Sequence, residues 1–404
     1  MTLADILAPI TVTEFLQSYL DRNCLVVPPQ PAKFDHLLSW SELNDRLRTL
    51  RVAGNRLRLV HNGKQLDRAA YLSRPRHEAG SYIETTAFSR LLNDGATLVV
   101  DQVDELFPSV RLLNESLQEL FKIYIGTNLY AGWRSDHGFD LHWDQHDTLI
   151  LQVYGRKHWQ VYEPTLLHPV EPSAAGEVPQ PTSPPIWDGL LEAGSVLYMP
   201  RGWWHIARPI DEPSLHLTIG LGHLTGISLF EWLTNRLRAS EALRSDVPHL
   251  RSADEQRAWL HAVRSALLEA LDENVIDAFM KQAEAKITAR PLISLPDDVV
   301  NAKKAPGAAA SDAIRLASVH CFHFTERGDG SMAFEVKGTE WACMPDVATA
   351  LTRLRNDRQI KLSELLEAVP SAARLPLRAT LHALAVAGAV AISSQATEQV
   401  PVEA

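Results

Sequence analysis

The sequence predicts a mainly β core, followed by a helical segment and a small α+β, winged-helix-like C-terminal unit. Three observations carry this expectation. Between Phe121 and Leu221 apolar residues recur with period two in short runs broken by Gly, Pro and Asp, the pattern of many strands in a sandwich or barrel. From 227 to 288 the spacing turns helical, in Leu229, Trp232, Leu233 and Leu237 and again in Trp259, Val263, Leu267 and Leu271. After a stretch of linker composition, Leu351, Leu354, Leu362, Leu365, Leu366, Leu381, Leu384 and Val386 mark three short helices, and Ala389 to Ser393 a closing strand.

Residues 1 to about 100 mix helical patterns, such as Thr13 to Leu20, with strand-like pieces, Leu57 to Val60 and Thr97 to Val100, and are expected to pack around the β core. A chain of 404 residues exceeds one ordinary core. The expected division is 1–225 for the β-containing domain, with its core at about 120–222, then 226–295 for the helices, 296–312 for the linker and 313–404 for the last unit. Winged-helix-like modules often bind DNA. The helix that would read it, around Leu375 to Ala387, carries only Arg378 as a cation, so a structural role is expected.

Hydrophobic residues at 46% and charged residues at 22% fit a soluble globular chain, and no apolar run nears the roughly 20 residues a bilayer span needs. The start, MTLADILAPITVTEFL, lacks the basic and apolar blocks of a secretory signal, so a cytoplasmic protein is expected. Cys24, Cys321 and Cys343 are odd in number and form no CxxC pair, which argues against a disulfide framework and a cysteine zinc site. A net charge of −10 argues against nucleic acid as a partner.

The chemistry concentrates in Gly138 to Asp147, which reads Gly-Phe-Asp-Leu-His-Trp-Asp-Gln-His-Asp. On a strand, positions i and i+2 share a face, so His142 and Asp144 can offer an imidazole and a carboxylate to one ion. Gly194 to His205 supplies a third ligand: a strand, a Pro-Arg-Gly turn, then His205 opening the next strand. Two histidines and a carboxylate leave positions open for co-substrate and dioxygen, the pattern of non-haem iron(II) oxygenases. Among 16 histidines an HxD arises easily by chance, so the parity of neighbouring strands matters more. In Lys157 to Tyr162, Trp159 and Val161 belong to the inward face and Lys157 shares it. An inward lysine needs an anion, such as the distal carboxylate of 2-oxoglutarate; a strand-end lysine that snorkels to solvent is the alternative. In Ser214 to Gly220, Leu215, Leu217 and Ile219 fall on one face and His216 and Thr218 on the other, a polar face that suits either a ligand-holding interior or solvent. His216 can contact substrate or make a core hydrogen bond, while His137 and His146 lack an i+2 carboxylate and belong to the loop or the surroundings. Trp143, Trp203 and Trp204 either wall the site or are ordinary core.

Five segments, Asn128-Leu129-Tyr130, His142-Trp143-Asp144, Leu151 to Tyr162, Gly194 to His205 and Ser214 to Thr218, together resemble the JmjC-type ribosomal oxygenases of the cupin superfamily. The likeness covers about 120–222, with the motifs in the family's order and the family's fifteen-residue step from His142 to Lys157. It implies a jelly-roll (double-stranded β-helix) core, iron(II), 2-oxoglutarate and dioxygen, a helical dimerisation segment giving a homodimer, and a winged-helix-like C-terminal domain. By the same resemblance His142, Asp144 and His205 hold the iron, Lys157 and Thr218 contact 2-oxoglutarate, and Asn128 and Tyr130, with His216, line the substrate site. The implied reaction is hydroxylation of a protein or peptide side chain, possible targets including ribosomal proteins. The alternatives are an N-methyl-lysine demethylase and a catalytically silent metal-binding cupin with a regulatory role; a sugar-isomerase-like cupin fits less well. Gly220 stands where eukaryotic members carry serine, and Gly132 to Gly138 is richer in charge and aromatic surface than the family's usual loop.

Overall fold

A computed structural model describes residues 1–49, 56–73, 81–170, 178–287, 312–316, 322, 324–336, 339–357 and 359–393. The chain divides into two units, Met1–Leu224 and Thr225–Ala404. The first opens with α1 (Leu3–Leu7) and α2 (Val12–Ser18), started by the side chains of Thr2 and Thr11 accepting from Asp5 and Glu14 amides. There follow β1 (Leu25–Val27), α3 (Trp40–Thr49), the hairpin β2 (Leu57–His61) and β3 (Lys64–Gln65), the short pair β4 (Leu72–Ser73) and β5 (Tyr82–Ile83), α4 (Thr85–Asn93), β6 (Thr97–Val100) and α5 (Pro108–Phe121). The β core is β7 (Ile125–Gly132), β8 (Asp147–Tyr154), β9 (Arg156–Tyr162), β10 (Trp187–Glu192), β11 (Val196–Met199), β12 (Trp204–Pro209) and β13 (Ser214–Leu221).

These strands form an eight-stranded sheet in the order β1-β11-β8-β13-β7-β6-β2-β3 and a second sheet in the order β10-β9-β12. Every neighbouring pair is antiparallel. Between the sheets Ile150, Trp159, Val161, Leu191, Leu197, Met199 and Trp203 make one apolar cluster. On its other face the large sheet packs Leu129, Leu149, Leu151, Leu215, Leu217 and Ile219 against Leu3, Leu7, Phe15, Leu113 and Leu117 of the helices. The N-terminal hundred residues therefore do more than wrap the core: β1, β2, β3 and β6 lengthen its main sheet. β6 is buried at all four positions, because both of its faces are covered, and so shows no period two.

Between β10 and β11 the chain turns at Gly194, whose φ is +89° and whose added Cβ would lie 2.0 Å from the carbonyl oxygen of Gln30. Neither the dihedral nor the space admits a side chain. Gly194→Ala is expected to lower stability by about 2–4 kcal/mol, strain and clash together. A urea midpoint unchanged from wild type would show that the turn is not constrained.

In the second unit, α6 (Gly226–Leu237), α7 (Glu241–Arg244), α8 (Ala253–Ala270) and α9 (Val275–Lys286) supply the helices expected from the spacing, with Trp232, Leu233, Val275 and Phe279 as their small core. On α8 no residue is fully buried, and Leu260 and Leu268 face solvent. The C-terminal strands are β14 (Ala313–Leu316), β15 (Thr325–Glu326), β16 (Met332–Val336), β17 (Thr339–Cys343), β18 (Gln359–Lys361) and β19 (Val390–Ser393). Their helices are α10 (Pro345–Asp357), α11 (Leu362–Glu367) and α12 (Ser371–Val386). Leu351, Leu354, Leu362, Leu365, Leu381 and Leu384 are core as expected, whereas Val386 is exposed. α12 begins at Ser371, earlier than expected, so it carries Arg374 as well as Arg378. The linker expected at 296–312 lies outside the described residues except for Asp312, and Cys321 lies outside them too. Among the described residues, no helix is long and apolar enough to cross a membrane.

Candidate metal centre

β7 leaves the main sheet at Gly132, and the chain passes beside β12 before returning as β8 at Asp147. In that passage His142 and His205 form an isolated antiparallel bridge, His205 N–H donating to the His142 carbonyl at 2.7 Å and His142 N–H to the His205 carbonyl at 3.1 Å. Directly paired residues place their side chains on one face, and here the imidazole centroids are 4.3 Å apart. Asp144, two residues on, shares that face; its carbonyl is held by the Gly202 N–H at 2.9 Å, and its Oδ2 lies 3.7 Å from His205 Nε2. One ligand atom each from His142, Asp144 and His205 falls within 4.8 Å of the others, a set able to hold a metal ion.

The orientation of both imidazoles is fixed from behind. His142 Nδ1 lies 2.8 Å from the Asp140 carbonyl and His205 Nδ1 lies 3.1 Å from that of Trp203. A carbonyl only accepts, so each Nδ1 is the protonated nitrogen and each Nε2 keeps its lone pair for a metal. His205 is held below the usual histidine range, first by burial and then by His142, which favours the neutral ligand form. The turn before His205 is itself anchored: the buried Asp147 carboxylate accepts the Tyr198 hydroxyl and, at 2.9 Å, the Arg201 N–H. Burial raises the Asp147 carboxyl above its ordinary range.

Lys157 is buried at 4% exposure on the inward face of β9, so it does not snorkel to solvent. The register pairs Val161 with His205 and Lys157 with Pro209, so the lysine points to the same side as His205, roughly 13 Å farther along the strand. No carboxylate among the described residues pairs with it. Its Nζ lies 5.8 Å from the centroid of the Trp159 ring, and burial pushes its ammonium down to about 7.

β13 shows the division of faces read from the sequence, and its polar face is interior, with Ser214 and His216 buried. The register sets His216 opposite Tyr130 and Thr218 opposite Asn128, which brings all four onto one side. His216 stacks on Tyr130 at 5.0 Å, and its Nδ1 is buried without a hydrogen-bond partner among the described residues. Burial, then Lys157 and His205, keep it well below its ordinary pKa. Asn128 Oδ1 takes the Gln102 N–H at 3.0 Å, and burial followed by Asp144 raises the Tyr130 hydroxyl.

Of the two readings of Trp203 and Trp204, the structure favours core. Trp203 belongs to the cluster between the sheets, and the Trp204 indole donates to Thr165 Oγ1 at 2.9 Å. The rings near the histidines are Trp159, 6.0 Å from His205 and 5.4 Å from His216, and Phe139, 5.7 Å from His142 and 5.9 Å from Tyr130. Trp159 Nε1 is buried without a partner among the described residues, and parity with Lys157 was the signal that placed it inward. Phe139 lies in a loop, where no periodicity could mark it.

Residues 105–228 match the model of the JmjC domain. The chain is 30% identical over 224 residues to the bifunctional lysine-specific demethylase and histidyl-hydroxylase NO66 of Drosophila mojavensis, a match covering 54% of this chain and 24% of the relative. Against NO66 of Caenorhabditis elegans the identity is 28%, covering 54% of this chain and 29% of the relative. The chain thus spans about a quarter of the length of these curated relatives. Among solved structures it is similar to the Escherichia coli ribosomal oxygenase YcfD, with TM-score 0.62 and 17% identity, covering 95% of this chain and 98% of that one. A YcfD complex with cobalt and 2-oxoglutarate gives TM-score 0.60 and 19% identity, covering 96% and 99%.

Proposed function

From the match of residues 105–228 to the JmjC domain we propose that the chain is an iron(II)- and 2-oxoglutarate-dependent oxygenase that hydroxylates a protein or peptide side chain. The observation that carries this reading is the pairing, on one inner face, of an open two-histidine, one-carboxylate set with a buried lysine that has no carboxylate partner among the described residues. The donor set suits iron(II), and the lysine suits the far carboxylate of a short dicarboxylic acid.

His142, Asp144 and His205 would hold the metal, and Lys157 with Thr218 the 2-oxoglutarate. Bound iron(II), with 2-oxoglutarate and dioxygen, supplies the oxidising power to insert oxygen into an unactivated C–H bond, releasing succinate and carbon dioxide. The protein's part is positional. The carbonyls of Asp140 and Trp203 orient the imidazoles, the cluster between the sheets keeps water from that side, and Asn128, Tyr130 and His216 form the wall that receives the substrate side chain. The relatives' names support a protein substrate, with a ribosomal protein as the first class to screen. The exposed leucines of α8 support pairing of two copies through the helical segment.

The test is succinate formation from 2-oxoglutarate by purified protein with iron(II) and ascorbate. Absence of turnover, together with absence of metal and 2-oxoglutarate binding by calorimetry, would end this reading. The NO66 name favours one second reading, removal of an N-methyl group. Mass spectrometry separates the two, since hydroxylation adds an oxygen and demethylation removes a methylene.

A pH effect follows from the burial of Lys157. The ammonium is the form that binds an anion, and it titrates at about 7. Affinity for 2-oxoglutarate is therefore expected to be greatest below that pH and to fall as pH rises through it, by up to about tenfold per unit. A KM for 2-oxoglutarate that stays flat between pH 6 and 9 would remove Lys157 from the co-substrate site.

A further inference from the structure

We infer that the tip of the β2–β3 hairpin positions the metal ligand His142, with Gly63 and Asp140 as the positioning residues. The inference rests on the metal reading above. The tip, Asn62-Gly63, has φ of 49° and 73°, the two-residue turn in which both residues are left-handed. The ladder closes at His61 and Lys64, and the two turn amides are left to bond outward. Asn62 N–H donates to the His137 carbonyl and Gly63 N–H to the Gly138 carbonyl, each at 2.9 Å, which docks the hairpin on the loop that delivers His142. Gly63 also makes room for Asp140: a Cβ there would stand 2.0 Å from Asp140 Oδ2. Asp140 Oδ1 meets His137 Nε2 at 2.8 Å, and the Asp140 carbonyl receives the His142 Nδ1–H at 2.8 Å. A continuous path thus runs from the hairpin tip through Asp140 to the ring that faces the metal.

Asn62, Gly63, Lys64 and Gln65 are all exposed, so the tip adds nothing to the apolar core. The solvent-facing His137–Asp140 pair is worth little as an ion pair, and the register rests on the two backbone bonds, with His61 Nε2 meeting Asp136 Oδ2 at 3.1 Å beside them. Partners behind a metal-bound histidine fix its ring, and their loss typically weakens metal binding about ten- to a hundredfold.

Cobalt(II) serves as the probe, by its affinity and its d–d absorption in the full-length chain. Gly63→Ala is expected to weaken cobalt binding roughly tenfold or more and to shift the band. Asp140→Ala keeps the carbonyl that receives the His142 Nδ1–H and removes only an exposed carboxylate, so it is expected to weaken binding less than Gly63→Ala does. Gly330→Ala is the control for strain alone, because Gly330 has φ +78° and nothing within 4 Å of an added Cβ. It is expected to leave cobalt binding unchanged. If Gly63→Ala binds cobalt as Gly330→Ala and wild type do, the hairpin does not position His142 and the inference falls. His142→Ala abolishes the band in either case, so loss of the inference leaves the metal reading standing.

Discussion

In the His205→Ala protein, iron-dependent conversion of 2-oxoglutarate to succinate is expected to fall by about three orders of magnitude or more, since several kcal/mol of charge stabilisation leave with the ion. The substitution spares the backbone, because the bridge to His142 uses main-chain groups alone. What disappears is one Nε2 from a set of three whose ligand atoms lie within 4.8 Å, and two remaining ligands cannot hold the ion in fixed geometry. His205 is 6% exposed, so the variant's melting curve must accompany the assay. Turnover near wild type in folded His205→Ala would sink the assignment. His142→Ala and Asp144→Ala are expected to behave alike, as members of one unit do.

Replacing Lys157 by methionine is expected to act in two directions. Affinity for 2-oxoglutarate should drop about a hundredfold or more, the cost of leaving a buried carboxylate without its cation. Stability of the ligand-free protein should rise. The sign follows from the lysine's titration: its pKa is about 7 when folded, against about 10.4 for a free lysine. The unfolded chain therefore binds the proton more tightly than the folded one, and the buried lysine destabilises the fold. This penalty is full below pH 7 and shrinks as pH rises from 7 towards 10.4. A thermal midpoint compared at pH 6.5 and pH 9.5 should show the larger gain for methionine at the lower pH. A methionine variant that binds 2-oxoglutarate as well as wild type, or melts lower at both pH values, would show that Lys157 is a structural residue.

Much of the site was legible because strands have a strict two-residue period. Parity placed Lys157 with Trp159 and Val161 on an inner face and put His216 and Thr218 on one side of β13, and the ladder registers keep both groupings; that the β13 side is interior was left open by parity and is seen in the burial of His216. The ligand motif was readable by the same two-residue step, although His142 and Asp144 lie outside any strand and only an isolated bridge at His142 holds that step extended. What escaped notice depends on pairing between distant segments. β1 has three residues and β3 two, too short for any period to show, and each is a strand only because a distant neighbour offers it a ladder. Phe139 and the Asp140 carbonyl lie in a loop whose course is set by a hairpin some seventy residues earlier. For Trp203 and Trp204 the sequence left wall and core both open, because adjacency to His205 in sequence does not tell which side a ring occupies.

The bridge between His142 and His205 joins positions more than sixty residues apart in the chain. Their meeting requires β8, β9, β10 and β11 to be in place between them, so the ligand set exists only once that whole circuit has closed. A cation seated there would act as a clasp on the completed jelly roll and be absent from every partly built state. Mass action then ties the persistence of the fold to the free metal concentration, each decade above the dissociation constant favouring the native state by about 1.4 kcal/mol. By this route cellular iron supply would govern the protein's lifetime as well as its turnover.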